Sequence, residues 1–240
     1  MASDPPSLKR LQQPQRNGAG ARQDAATHLE VVIVPDQELW RARRSHDKHR
    51  QTTSVPDLLQ RETPQATVYE YSGTHGRESI SIWHALEGAG ETLAAALAAL
   101  DYSSGIRPLG FVASGFGGCV VKKAVHKLGA SNLAFIVFLG APHVTNSRDL
   151  WPKLDGLLRA YGYNKSYLKK TEDFIPCVAG LCTNFEKMHI EEGILSVCET
   201  LPTSVGFWKK SLVSNMSVTV DRNEGFKNVD GDLPIPTKYV

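Results

Sequence analysis

Residues Phe111–Gly118 read FVASGFGG and run directly into CVVKKAV. The first part is a short apolar run, the middle is a glycine-rich turn, and the last part has the spacing of an amphipathic helix. A strand that enters a helix through so tight a turn is typical of the carboxyl edge of a parallel sheet. Gly115 stands at the apex of the predicted turn, where glycine accepts a left-handed backbone.

Strand and helix patterns alternate on both sides of this turn. The alternation predicts an α/β fold with a doubly wound, mostly parallel sheet, whose functional crevice lies at the carboxyl ends of the strands. Gly88 and Gly90 are expected to separate one helix from a short turn around Trp83. Strands are predicted at residues 31–34, 66–72, 109–114, 132–139, 193–200 and 216–221, and helices at 54–62, 91–100, 117–128 and 149–162, with another helix that ends near residues 185–186.

The composition is that of one soluble globular domain. The 240 residues are 41% hydrophobic and 22% charged, with a net charge of +2, so no strong field favours nucleic acid. Residues 1–27 are rich in Gln, Pro, Gly and Arg and are expected to form a disordered tail, with residues 28–240 as the domain. Because no apolar run has signal-peptide or membrane-spanning length, we expect no transmembrane segment and a cytoplasmic location.

Cofactor motifs are missing from the sequence. The four cysteines lie in apolar segments without the paired spacing of a zinc site, and no P-loop is present. We therefore expect no metal and no cofactor, with thiols that are reduced and mostly buried. Lys122 and Lys123, in the helix that follows the turn, are expected near its exposed face.

Two segments carry a family resemblance. Residues 107–125 (RPLGFVASGFGGCVVKKAV) and 134–143 (AFIVFLGAPH) resemble the α/β-hydrolase domain of the serine-active-site lipase-like family, whose members typically read RPIIFIGHSLGGLVVKKAL and FLGTPH. This family is related to GPI inositol-deacylases and supplies N-terminal domains of fungal NLR-type proteins. The resemblance implies a sheet of the α/β-hydrolase type, with a nucleophilic serine presented on a strained turn.

The chain departs from the family at the nucleophile and at the oxyanion loop. Aligned on the shared motif, Gly115 takes the place of the nucleophilic serine, and Ser114 takes the place of a histidine. Pro35 and Asp36 stand where members carry His-Gly. Proline has no N–H to donate, and a carboxylate opposes a developing oxyanion, so this loop is unsuited to acyl transfer.

The remaining two triad positions are those of the acid and the histidine. The resemblance puts Glu199 at the position of the triad acid and Leu233 at that of the triad histidine, which makes Gly115, Glu199 and Leu233 the degenerate catalytic positions. No histidine follows Glu199 in the sequence. The nearest substitute is His143, which ends the LGAPH segment.

Three functions remain open on the sequence alone. The leading hypothesis is a catalytically inactive, pseudo-lipase domain that serves as a binding or signalling module and engages a protein partner. Such a domain would be related to NLR-type proteins or be accessory to a fungal pathway. The alternative is a diverged serine lipase or esterase that acts on acyl esters with Ser114 and His143. The third is a non-catalytic binder of a lipid or small acyl ligand. The candidate ligand or anion cleft comprises Pro35, Asp36, Ser114, Gly115, Phe116, Gly117 and His143.

Overall fold

The computed structural model describes the chain over residues 7–12, 29–35, 55–73, 82–100, 107–143, 174–188, 190, 193–198, 204–205, 208–209 and 237–239. Its strands are β1 (Ser7–Gln12), β2 (Glu30–Val34), β3 (Thr67–Ser72), β4 (Leu109–Ser114), β5 (Leu133–Leu139), β6 (Gly193–Cys198), β7 (Ser204–Val205), β8 (Trp208–Lys209) and β9 (Thr237–Tyr239). Its helices are α1 (Val55–Glu62), α2 (Ile82–Ala99), α3 (Gly117–Leu128) and α4 (Phe174–Glu186).

Seven of these strands form one sheet in the order β1-β3-β2-β4-β5-β6-β9, and β7 and β8 form a separate hairpin. Every neighbouring pair in the larger sheet is parallel except β1 and β3. The chain winds from β2 to β3 in one direction, then crosses back over β2 and proceeds through β4, β5 and β6 in the other. The predicted doubly wound, mostly parallel sheet is confirmed.

The reversal of winding sends helices to both sides of the sheet, since parallel crossovers are right-handed. The side covered by α2, α3 and α4, here called the three-helix face, holds the larger apolar cluster, which includes Phe111, Ala113 and Phe138. The opposite side, here called the α1 face, holds a smaller cluster that includes Val31 and Val112. Side chains of one strand therefore alternate between two cores.

The expectation of a disordered tail over residues 1–27 is wrong for Ser7–Gln12. These residues form β1, which pairs antiparallel with β3 at the edge of the sheet. Leu8 packs against the larger cluster and Leu11 against the smaller one. Arg10 Nη2 donates a hydrogen bond to the Tyr69 hydroxyl at 3.0 Å. The polar composition of this segment gave no strand signal, because β1 is stabilised by pairing with a segment distant in the sequence.

The expected break in the second helix is also wrong. α2 runs without interruption from Ile82 to Ala99 and includes both glycines. A Cβ built on Gly90 would lie 2.6 Å from the Cβ and Cγ of Lys123 and 3.2 Å from the carbonyl oxygen of Val120, both on α3. Gly90 therefore permits close packing of α2 on α3. The other predicted elements over residues 149–162 and 216–221 lie outside the described residues.

We expect Gly90→Ala to destabilise the fold by about 1–3 kcal/mol, because the added methyl group overpacks the α2–α3 contact. Gly88→Ala is the matched control: Gly88 has open space around its Cβ position, so the better helix former should stabilise by about 0.5–1 kcal/mol. Urea unfolding midpoints of the two variants measure the difference. Equal shifts in both would show that α2 does not approach α3 at Gly90.

Candidate functional site

The turn between β4 and α3 is the sharpest feature of the carboxyl edge. Gly115 has a backbone φ of 52°, which lies in the left-handed region that side chains disfavour. Its N–H donates to the carbonyl of Leu139 at 2.9 Å, and its own carbonyl accepts from the N–H of Gly118 at 3.1 Å. The structure thus places Gly115 at the apex between strand and helix, where a nucleophile elbow would hold its reactive side chain.

The end of β2 lies directly beside this turn. A Cβ built on Gly117 would lie 2.5 Å from the carbonyl oxygens of both Val34 and Pro35. Only a residue without a side chain fits there, so the glycine allows the first turn of α3 to touch the β2 loop. The structure therefore brings Pro35 and Gly117, two of the candidate cleft residues, into contact. Asp36 lies outside the described residues.

Phe116 takes no part in an open cleft. Its side chain is buried and makes an edge-to-face contact with Phe174 of α4, with 5.5 Å between ring centroids. The ring thus belongs to the core on the three-helix face. Its side chain therefore serves packing, and its carbonyl accepts from the N–H groups of Cys119 and Val120 in the first turn of α3.

Ser114 and His143 are separated by the sheet. Ser114 is the last residue of β4 and lies in register with Leu139, whose side chain packs on the smaller cluster of the α1 face. His143 lies on the opposite side: its ring contacts that of Phe138, with 4.7 Å between centroids, and Phe138 belongs to the three-helix face. The two fallback catalytic candidates therefore belong to opposite faces.

The imidazole of His143 is hydrogen-bonded to a neighbouring hydroxyl. Its Nε2 lies 3.2 Å from Oγ of Ser196 on β6, and Ser196 is in register with Phe138. Burial lowers the pKa of His143 well below its ordinary range, and the positive charge of Lys122 lowers it further. The imidazole is therefore neutral at physiological pH, held between a strand hydroxyl and an aromatic ring.

Lys122 is the residue that the sequence prediction misplaced. It was expected near the exposed face of α3, yet it is fully buried. Its Nζ donates to the carbonyl of Pro142 at 2.6 Å and to Sγ of Cys182 at 3.2 Å, and it faces the Phe138 ring at 5.4 Å from the centroid. An ammonium group satisfied by a carbonyl and aromatic rings can be buried, because these groups replace its water.

A sequence signal for this burial exists. Lys122 follows Gly118 by four residues and precedes Val125 by three, which puts it on the apolar stripe of α3. Lys123, one position along, is turned away from that stripe: it stays partly exposed and pairs with Glu87 of α2 at 2.6 Å. Helical periodicity therefore predicts that Lys122 is buried and that Lys123 is not, whereas charge alone predicts exposure of both.

Two other predicted site residues, Glu199 and Leu233, lie outside the residues that the structure describes.

Within the described ranges, no three His, Cys, Asp or Glu side chains are grouped so that they could hold a metal ion. None of the described helices is both long enough and apolar enough to cross a bilayer. At the carboxyl edge, the described residues form the turn at Gly115, which lies beside the end of β2, where Pro35 follows the strand.

Comparison with known proteins gives structural likenesses only. No protein-family model and no curated protein matches the sequence. The fold is similar to that of a lipase-esterase related protein from Clostridium acetobutylicum (9% identity, 87% of this chain and 86% of that one, TM-score 0.43). It is also similar to acetyl xylan esterase 1 from a Thermoanaerobacterium species (12% identity, 95% and 69%, TM-score 0.49).

A carboxylesterase structure from the thaumarchaeon Nitrososphaera gargenis is similar at 9% identity over 96% of this chain and 89% of that one, with a TM-score of 0.46. A mostly parallel sheet carries helices on both faces, and a left-handed turn joins a central strand to the following helix at the carboxyl edge. This is an α/β fold with a doubly wound, mostly parallel sheet.

The lowered pKa of His143 predicts an acid-dependent loss of stability. Since the unfolded chain takes up a proton near pH 6.5 and the folded chain does not, the free energy of unfolding should fall as pH drops below that value. The slope from this group is at most about 1.4 kcal/mol per pH unit. Urea unfolding between pH 7.5 and 5 should show a shallower dependence in His143→Gln than in wild type.

The matched control is His126→Gln, which removes an exposed histidine from the last turn of α3. Equal acid dependence in wild type and His143→Gln would contradict the burial of a neutral His143. A slope lost in both variants would assign the effect to a cause other than this site.

Proposed function

We propose that this protein is a catalytically inactive α/β-hydrolase-fold domain, a pseudo-lipase, that acts as a binding or signalling module. The observation that carries the proposal is Gly115 at the left-handed apex between β4 and α3. The elbow geometry is retained there, but the residue has no side chain and hence no attacking atom. An acyl-transfer enzyme of this fold needs an oxygen or sulfur nucleophile at that point.

The flanking β2 loop supports the same conclusion. Pro35 lies against the first turn of α3 and has no backbone N–H. In a hydrolase, this loop and the turn together supply N–H donors to the oxyanion, and loss of one such donor lowers the rate by about a hundredfold to a thousandfold. Asp36 follows in the sequence, where a negative charge would oppose the oxyanion.

The arrangement of Ser114 and His143 opposes the alternative of a diverged esterase. A general base must come within hydrogen-bond reach of the hydroxyl that it deprotonates. Ser114 follows the register of the α1 face, whereas His143 contacts Phe138 and Ser196 on the three-helix face. The sequence adds that no histidine follows Glu199, and the family resemblance implies that Leu233 stands at the base position.

The resemblance to N-terminal domains of fungal NLR-type proteins supports a regulatory role in the cytoplasm, within a receptor or beside a biosynthetic pathway. In that role the carboxyl edge near Pro35 and Gly117 would engage a protein partner. A lipid or acyl ligand at the same edge is the competing occupant. Neither role requires bond cleavage, so both are compatible with a glycine apex.

A fluorophosphonate probe tests for any activated serine without assuming a substrate. We expect no labelling of the wild-type protein, and hydrolysis of short- and long-chain acyl esters no faster than in Ser114→Ala. The reason is that His143, the candidate base, contacts the opposite face of the sheet from this hydroxyl. Heat-denatured protein sets the background. Labelling of wild type that disappears in Ser114→Ala would overturn the proposal in favour of an esterase.

Restoring a serine at the apex should not restore an enzyme. In Gly115→Ser the attacking oxygen returns, but general-base assistance, worth about a hundredfold to ten-thousandfold, does not. The variant should also lose about 1–3 kcal/mol of stability, because a side chain is forced to a positive φ. The rate of ester hydrolysis and the urea unfolding midpoint are measured on the same purified variant.

Gly115→Ala is the control for Gly115→Ser, since it introduces the same backbone strain without the hydroxyl. The two variants should share one urea midpoint and one background rate. Robust hydrolysis by Gly115→Ser alone would show that a base and oxyanion donors are in place. Unchanged stability in both variants would contradict the left-handed turn.

A further inference from the structure

Away from the turn at Gly115, a buried pair joins a lysine amine to a cysteine thiol. Nζ of Lys122 lies 3.2 Å from Sγ of Cys182, and the two residues are 0% and 3% exposed. They lie on α3 and α4 and are 60 positions apart in the sequence. Only the tertiary fold brings nitrogen and sulfur into contact.

The surroundings hold the pair in one geometry. The carbonyl of Pro142 accepts from Lys122 Nζ at 2.6 Å and lies 3.5 Å from Cys182 Sγ. The rings of Phe138 and Phe185 flank the nitrogen, at 5.4 and 5.8 Å from their centroids. Because a close-packed core restricts both side chains, the two atoms stay in contact.

The redox chemistry of the pair follows from what touches the sulfur. Cys119, Cys177 and Cys182 form no disulfide. In the described part of the chain, Cys182 Sγ contacts the Lys122 amine and the carbonyl of Pro142, and only the amine can act as a nucleophile. Oxidised cysteine sulfur condenses with a nearby nucleophile, either a thiol or a nitrogen. At this position the adjacent nucleophile is the lysine nitrogen.

We propose that Lys122 and Cys182 are a covalent modification site, at which dioxygen forms an oxygen-bridged Nζ–O–Sγ cross-link. The ammonium first releases its extra proton to solvent. One N–H bond and the S–H bond then break, N–O and O–S bonds form, and the second oxygen atom leaves as water with the two hydrogens. Nitrogen and sulfur each lose two electrons, and dioxygen accepts all four.

The distance favours an oxygen bridge over a direct bond. A direct N–S bond would require the two atoms to close most of their 3.2 Å separation, which a close-packed core resists. A single interposed oxygen spans most of that gap with little movement. The remaining N–H can still donate to the carbonyl of Pro142.

The cross-link would tie α3 to α4 beneath the loop that follows β5. It would close a long loop of chain and so restrict the unfolded state, as a disulfide does. The expected sign is a higher urea midpoint for the oxidised protein. Because N–O and O–S bonds are reducible, thiol reductants should reverse the effect.

Intact mass spectrometry of folded wild-type protein tests the proposal. Protein kept under oxygen should gain about 14 Da, one oxygen gained and two hydrogens lost, relative to an anaerobic sample. Dithiothreitol should remove the gain. A protease map should yield one peptide pair joined through Lys122 and Cys182, and the urea midpoint should rise with the modified fraction.

Variants locate the linkage. Lys122→Met and Cys182→Ser should abolish the gain, whereas Cys119→Ser, a change at another buried cysteine, should leave it intact. Wild-type protein oxidised in urea should not gain the mass, because unfolding separates the two atoms, and this control does not depend on a variant that folds.

Three results would overturn the proposal. They are an unchanged mass under oxygen, a gain of about 16 or 32 Da on Cys182 alone, and a loss of about 2 Da that marks a direct N–S bond.

Discussion

The structure depends on the absence of side chains where β4 turns into α3. Gly115 accepts a φ of 52°, and Gly117 lets the helix touch the carbonyls that end β2. Gly118 allows equally close contact on the other flank, since a Cβ there would lie 2.4 Å from that of Ala141. Helix α3 can therefore sit against the strands on either side of β4. The same constraint that permits this packing leaves the apex without a reactive group.

The second organising element is the positive charge buried behind the turn. An ammonium in the core is unfavourable unless its donors are satisfied, and Lys122 is satisfied by the carbonyl of Pro142 and by flanking aromatic rings. The charge also helps to keep His143 neutral, because both burial and Lys122 lower its pKa. The loop after β5 is thereby attached to the core, and its histidine is directed to Ser196.

Under the proposed function, these two elements explain how the sheet and its turn persist without catalysis. The sheet, the crossovers and the elbow are backbone features that packing maintains. Catalysis in this fold requires, in addition, a side chain at the apex, donors in the neighbouring loop and a base on the correct face. The described residues provide the first set of features. Our proposal that the second set is missing rests on Gly115, on Pro35 and on the placement of His143.

The sequence by itself determined the elements whose pattern is local. The apolar runs of β2, β4 and β5 and the helical spacing of α3 predicted their type and position. For α4 only the carboxyl end was predicted, and the glycine cluster predicted the turn. Tertiary contacts decided the pairing of β1 with β3, the continuity of α2 through Gly90, and the partners that satisfy the buried amine of Lys122. In each case a distant partner supplies the stabilising contact: a strand edge, a facing helix, or a carbonyl from another loop. The separation of Ser114 from His143 has the same origin, because strand register assigns a side chain to one face of a sheet, and register is a property of paired strands.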